Sequence, residues 1–289
     1  MTRQTNPTLH LQSTSDGLPP YVADEVSAAW RKQTAAAFEA PILWVRHPAN
    51  GLIHAWQIEN EDVALIERLR ASGADGFGDD DFARLERLGA AFRAETSAGL
   101  ASAFAQTVAA AQDSLRRQGF AVLRNLMLPG YHLQIRRYFD RIWDRIKLGD
   151  AQVPLRKAQH NDPLCRILHM SLNDTIASVC EESIKPSYCY LGIYMPGAVL
   201  VRHRDRPQCR WNVSLLLDSK PIASQSDGWP IYVECADDQV RAAVAGIGDA
   251  VVYNGTRIPH WREEMPSRFY YQSVCFFHFV QAEYAGDLV

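Results

Sequence analysis

The stretch VLVRHRDRPQCRWNVSLLLD, residues 199–218, sets a histidine and an aspartate two apart inside an otherwise strand-like run. Successive side chains of a β-strand point to opposite faces, so residues i and i+2 share one. His203 and Asp205 are therefore expected to stand together on one side of a sheet, where they can hold something. A buried carboxylate without a cation is costly, and that cost favours a metal. Arg204 and Arg206 alternate with the pair and are expected on the opposite face, in structural roles.

Runs of similar texture surround this one. SYCYLGIYM (187–195), WPIYVEC (229–235), DAVVYNG (249–255) and RFYYQSVCFFHFVQ (268–281) are rich in β-branched and aromatic residues and are separated by Pro, Gly, Asp and Ser. Six or more short strands at this spacing predict a barrel or jelly roll. Upstream the period changes. Leu100, Phe104, Val108, Ala111 and Leu115 form one stripe of a helix over residues 98–118, with Gly119 as its stop. Ile135, Phe139, Ile142 and Ile146 form the inward face of a second over 131–147, with Arg136, Arg137, Arg141 and Arg145 as a solvated face. Two short extended runs flank a Pro-Ala-Asn-Gly turn (48–51) before a helix opens at Glu61 or Asp62, and another helix is expected over 24–40. Helices first and strands later imply an α+β fold. The expected organisation is a disordered tail over 1–22, a mainly helical region over 23–118 and a β domain over 119–289.

Composition limits the function. The 289 residues carry a formal net charge of −3 and no basic run, so neither nucleic acid nor an anionic membrane surface is an expected partner. Nowhere do about 18 apolar residues run together, so no spanning helix is expected. The six cysteines include no C-x-x-C pair and the polar start has no apolar signal core, which reads as a reduced, cytoplasmic protein.

A metal at His203 and Asp205 needs a further ligand, and GDAVVYNGTRIPHWRE offers His260 after a strand and a turn. Two imidazoles and one carboxylate leave coordination positions open, which suits non-haem Fe(II); a catalytic zinc with three protein ligands is the alternative. His278, in CFFHFV, reads as a core histidine outside the site.

The order H-x-D at 203–205, Gly-Asp-Ala-Val-Val-Tyr-Asn-Gly, His260 and then Arg268 resembles the Fe(II)- and 2-oxoglutarate-dependent dioxygenases on the double-stranded β-helix fold. Within them, KPSYCYLGIYMPGAVLVRHRDRPQC and PHWREE look like a group of bacterial proteins. The resemblance covers roughly residues 119–281. It implies that His203, Asp205 and His260 bind Fe(II), and that an arginine pairs with the far carboxylate of 2-oxoglutarate. Arg268 is the expected residue, with Arg262 as its rival, and Tyr190 is the expected hydroxyl donor to that carboxylate. The implied activity is O2-dependent hydroxylation of a small-molecule or peptidyl substrate, with release of succinate and CO2. Asp205 argues against halogenation, since enzymes of that kind replace the carboxylate with a small residue. The alternatives are a metal-binding cupin-like sensor or scaffold, and a cupin-type enzyme that does not use 2-oxoglutarate. Around His160 and Arg166, relatives often build a substrate lid.

The hairpin and helices of residues 41–89 are loosely similar to small winged modules that bind leader peptides. An extension packing on the catalytic core, or on a second subunit in a homodimer, is the plainer reading.

Overall fold

The computed structural model describes residues 2–13, 17–23, 38–235 and 237–288, and the helix expected from Asp24 onward lies outside them. In the first half the strands are β1 (Arg3–Thr5), β2 (His10–Gln12), β3 (Ile42–Arg46), β4 (Ile53–Gln57) and β5 (Ala91–Arg93). The second half adds β6 (Phe120–Leu123), β7 (Arg156–His160), β8 (Ile184–Tyr194), β9 (Leu200–His203), β10 (Trp211–Lys220), β11 (Ile231–Glu234), β12 (Val240–Ala243), β13 (Ala250–Asn254), β14 (His260–Arg262) and β15 (Tyr271–Gln281).

The polar N-terminus is not a free tail. β1 pairs with β5 and β2 with β3, so backbone groups in a stretch too polar to bury itself find partners far along the chain. Asn6 ties the three segments together: its amide donates to the carbonyls of Arg46 (2.9 Å) and Gly89 (2.8 Å), and its oxygen accepts from the Thr8 amide (2.9 Å). The region expected to be mainly helical therefore also holds β3 and β4, which β2 of the expected tail completes into a three-stranded sheet β2-β3-β4. Its helices span Asn60–Ser72, Asp79–Arg87 and Ala94–Gln118. Gly119 closes the last one in the left-handed conformation (φ 84°), its N–H bonded to the Leu115 carbonyl. Only Ala111 of that helix is buried, so its apolar stripe is covered less than the periodicity implied.

Alternation along single strands explains how the second half closes. In β13, Ala250 and Val252 face the helices and the N-terminal sheet, while Val251 and Tyr253 face inward between two sheets. In β15, Cys275, Phe277 and Phe279 face outward and Val274 and Phe276 inward. The larger sheet has the order β6-β13-β10-β15-β8-β7 and the smaller β12-β11-β14-β9. Their inner faces enclose one apolar cluster, and the outer face of the larger sheet shares a second with the N-terminal region. This is the double-stranded β-helix arrangement, with residues before 119 contributing to its outer core.

Helices Pro163–Ser171 and Asn173–Cys180 bridge β7 and β8. The first begins where Asp162 caps the Cys165 amide and Pro163 occupies the first turn, two local signals for a start.

The helix Tyr131–Ile142 ends five residues earlier than expected, in a short 3₁₀ turn over Trp143–Arg145. Of its expected solvated face, Arg136 instead reaches the fully buried Asp218 with two hydrogen bonds, Nε to Oδ2 at 2.8 Å and Nη2 to Oδ1 at 2.7 Å. Asp218 lies at an irregularity in the pairing of β10 with β15, and its carboxylate also accepts from Tyr271 at 2.5 Å. Removing one partner strands the other charge. Asp218→Ala is expected to lower the free energy of unfolding by about 3 kcal/mol, measured by denaturant titration, with Arg137→Ala on the same helix nearly neutral.

Candidate metal centre

β9 is an edge strand, and its pairing with β14 carries one irregularity: His260 lies opposite His203, but Arg262 lies opposite Leu200. Trp261 of β14 thus opposes two residues of β9, Val201 and Arg202, which is a bulge. The extra residue reverses the alternation, so Leu200 and His203, three apart, both line the interior cavity, while Val201 and Arg202 are exposed. Asp205 lies beyond the end of the strand, and the i, i+2 argument does not place it. It is held by its own N–H, which donates to the Gly255 carbonyl at 2.8 Å. The three side chains still converge. Asp205 Oδ1 lies 3.5 Å from His203 Nε2 and 3.7 Å from His260 Nε2, and the two imidazole centroids are 4.3 Å apart.

Each imidazole is oriented by its own backbone. Nδ1 of His203 is 2.8 Å from the Val201 carbonyl and Nδ1 of His260 is 3.0 Å from that of Ile258. A carbonyl only accepts, so both Nδ1 atoms carry hydrogen and both Nε2 lone pairs point at Asp205. Asn212 Nδ2 donates to Asp205 Oδ2 at 3.0 Å and leaves Oδ1 toward the histidines. Burial raises the Asp205 carboxyl, but His203 and His260 outweigh it and hold the group at about 2. Burial lowers His203, while the hydrogen bond and charge of Asp205 raise it above the usual range in the metal-free protein. His260 is pushed down, chiefly by burial. An ionised carboxylate and two converging lone pairs form a donor set for a divalent cation with positions left open.

Gly255 makes this packing possible. A Cβ there would lie 2.2 Å from Asp205 Oδ2 and 2.7 Å from the Cys209 carbonyl, too close for either to remain in place.

The cavity beside the three groups measures about 520 Å³. Tyr190 lines it, and its hydroxyl donates to Asp150 at 3.0 Å. Arg268 does not line it. The residue lies in a turn ahead of β15, exposed, its guanidinium donating to the Asp227 carbonyl at 2.7 Å and stacked on Phe269. Arg262, its rival, follows His260 by two on β14 and is buried, 4% exposed, in the inner core. It donates to the Trp229 carbonyl (2.7 Å) and Ser214 Oγ (3.3 Å), its Nε has no partner, and it has no carboxylate partner among the described residues. The Tyr253 hydroxyl is also buried without a partner and within electrostatic reach of Arg262.

Several cavity residues escaped the sequence reading. His278, expected as core, is buried, yet it lines the cavity, and its Nδ1 has no partner. Its separation of two from inward-facing Phe276 was the available signal. Arg156, on β7, is buried and bound to Asp150 (2.7 Å) and the Tyr194 hydroxyl (2.8 Å). RKAQH carries no strand-like apolar pattern, so nothing local announced it. Arg204 and Arg206, expected on the opposite face, both line the cavity because the chain leaves the strand after His203. His160 lines it too, whereas Arg166 turns to Asn161 instead.

No protein-family model matches the chain, and no curated protein sequence does. Among solved structures, the non-haem α-ketoglutarate-dependent epimerase SnoN from nogalamycin biosynthesis is similar at a TM-score of 0.50 and 8% identity, over 62% of this chain and 84% of that one. A prolyl-4-hydroxylase from Pseudomonas putida (TM-score 0.47, 19% identity, 59% of this chain and 98% of that one) and AviO1 from Streptomyces viridochromogenes (0.47, 22%, 62% and 97%) also align. The likeness is one of fold, the double-stranded β-helix.

Two measurements test the centre. Gly255→Ala is expected to weaken divalent-metal binding at least about tenfold, because it displaces the Asp205 carboxylate, while the circular dichroism spectrum is unchanged. Metal affinity should fall as pH drops through the raised His203 value, above 6.5, with about one proton taken up per metal lost. His260 adds a second proton only at lower pH, and Asp205 remains ionised throughout.

Proposed function

We propose that the protein is an Fe(II)- and 2-oxoglutarate-dependent oxygenase that hydroxylates a small-molecule or peptidyl substrate. The observation that carries the reading is a buried guanidinium with an unpartnered Nε, two residues along the same strand from a metal-ligating histidine. A buried cation calls for an anion, and the described residues supply none to Arg262. A dicarboxylate that chelates the metal at one end and meets Arg262 at the other answers both demands.

In this reading His203 and His260 bind Fe(II) through Nε2 and Asp205 through Oδ1, with Asn212 restraining the second carboxylate oxygen. Arg262 takes the far carboxylate of 2-oxoglutarate through Nε and Nη, the planar fork that suits bidentate pairing. Ser214 and Tyr253 are its neighbours, so the hydroxyl partner moves from Tyr190 to Tyr253. The position of Arg268 on the outside gives it no part. Bound Fe(II) and 2-oxoglutarate supply oxidation of a substrate C–H bond, with O2 consumed and succinate and CO2 released. Leu200 and Phe276 keep apolar walls next to the histidines and limit water there. Tyr188, Tyr190 and His160 form the outer wall against which a substrate would lie.

The test needs no substrate. Anaerobic titration with Fe(II) and then 2-oxoglutarate should produce the visible charge-transfer band of the chelate. His260→Ala should abolish it, Arg262→Gln should raise the 2-oxoglutarate concentration needed by about tenfold or more, and Arg268→Ala should leave it unchanged. Iron binding without a band would sink the 2-oxoglutarate reading and favour a cupin-type centre.

A further inference from the structure

Five charged side chains line the cavity: Asp150, Arg156, Arg204, Asp205 and Arg206. Asp150 and Arg156 neutralise each other at 2.7 Å, and Asp205 faces the two imidazoles. Two guanidiniums remain. Arg206 donates from Nη2 to the Tyr188 hydroxyl at 2.8 Å and lies over that ring at 5.2 Å. Arg204 donates from Nε to the Arg257 carbonyl at 3.0 Å. Both partners are neutral, and neither arginine has a carboxylate within ion-pair distance among the described residues. In a chain of net charge −3, two cations without an ion-pair partner among the described residues are a local feature of the cavity, not a reflection of the whole surface.

Their surroundings define what they can do. Tyr188 is fixed from both sides, by Arg206 and by Cys209 Sγ at 3.0 Å, and His160 stacks on it with centroids 5.3 Å apart and meets Tyr190 edge-on at 4.7 Å. The hydrogen bond to Tyr188 orients the Arg206 guanidinium but leaves Nε and Nη1 free to donate. Arg206 follows metal-ligating Asp205 directly, and Arg204 precedes it. A group bound to them would be anchored one residue from the centre.

We propose that the substrate is an anion, and that Arg206 together with Arg204 binds its carboxylate or phosphate in the cavity while the remainder lies against Tyr188 and His160. This rests on the oxygenase reading and supplies what that reading lacks, the chemical class of the substrate. Arg262, buried in the inner core, serves the co-substrate, so the two anion sites are separate.

The full-length protein, loaded anaerobically with Fe(II) and 2-oxoglutarate, is titrated calorimetrically with acetate, benzoate, inorganic phosphate and phenyl phosphate, with benzamide as the neutral control. At least one anion should bind, and benzamide should bind at least about tenfold more weakly. Arg206→Ala, and Arg206→Gln, which can still donate to Tyr188, should each weaken the anion by about tenfold or more, and Arg204→Ala should weaken it as well. All three should keep the charge-transfer band at unchanged 2-oxoglutarate concentration. Preference for the carboxylates or the phosphates identifies the group. Absence of binding by every anion, or equal binding by the Arg206 variants, would overturn the proposal while leaving the oxygenase reading intact. Should the wild-type band be absent, that reading falls, and the same titration of the Fe(II)-loaded protein without 2-oxoglutarate still decides whether Arg206 and Arg204 hold an anion.

Discussion

The pairing of β9 with β14 is the constraint on which the centre depends. Opposite His203 stands His260, and the one-residue irregularity between that pair and the next turns both Leu200 and His203 into the cavity. Without the bulge, strict alternation would put Leu200 and His203 on opposite faces. The irregularity lies at a sheet edge, where an unpaired residue costs little because water can reach it.

Around this pairing the interior holds three groups of polar side chains. Asp150, Arg156 and Tyr190 satisfy one another. At the centre, two imidazoles fixed by their own backbones face one carboxylate fixed by Asn212 and by the close approach of Gly255. In the inner core, Arg262 and Tyr253 retain unsatisfied polar atoms. Folded proteins seldom leave buried polar groups unpaired, and these two lie close to His260, Arg262 on the same strand and the Tyr253 ring 4.6 Å from the imidazole. None of the described residues before 119 lines the cavity. The N-terminal sheet and helices cover the outer face of the larger sheet, and the Arg136–Asp218 pair fastens the helix Tyr131–Ile142 to β10.

Much was legible in the chain before any coordinates. The period of two in DAVVYNG and SVCFFHF, the period near 3.6 in residues 98–118, and the glycine that ends that helix all act between near neighbours, and each appears where expected, the helix opening four residues earlier at Ala94. His203, Asp205 and His260 were legible for a different reason: ionisable residues in apolar strands stand out, because burying them without purpose is costly. Less visible were Arg156 and His278, one in a run without pattern and the other apparently a core residue.

The sequence by itself determined the α+β class and the strand-rich second half and singled out His203, Asp205 and His260 as candidates, since these follow from side-chain chemistry and local periodicity, whereas their convergence came from the pairing of β9 with β14. Tertiary structure decided which arginine is buried beside the centre. Arg262 and Arg268 are chemically identical and six residues apart, and only the closing of the smaller sheet against the larger puts one inside and leaves the other in a turn. It likewise decided that β1 and β2 of the polar N-terminus are paired, with strands 30 or more residues away. It also brought Arg204 and Arg206 to the cavity by ending β9 at His203. Strand ends, bulges and distant pairings are set by what packs against them, and a single stretch of chain does not contain that information.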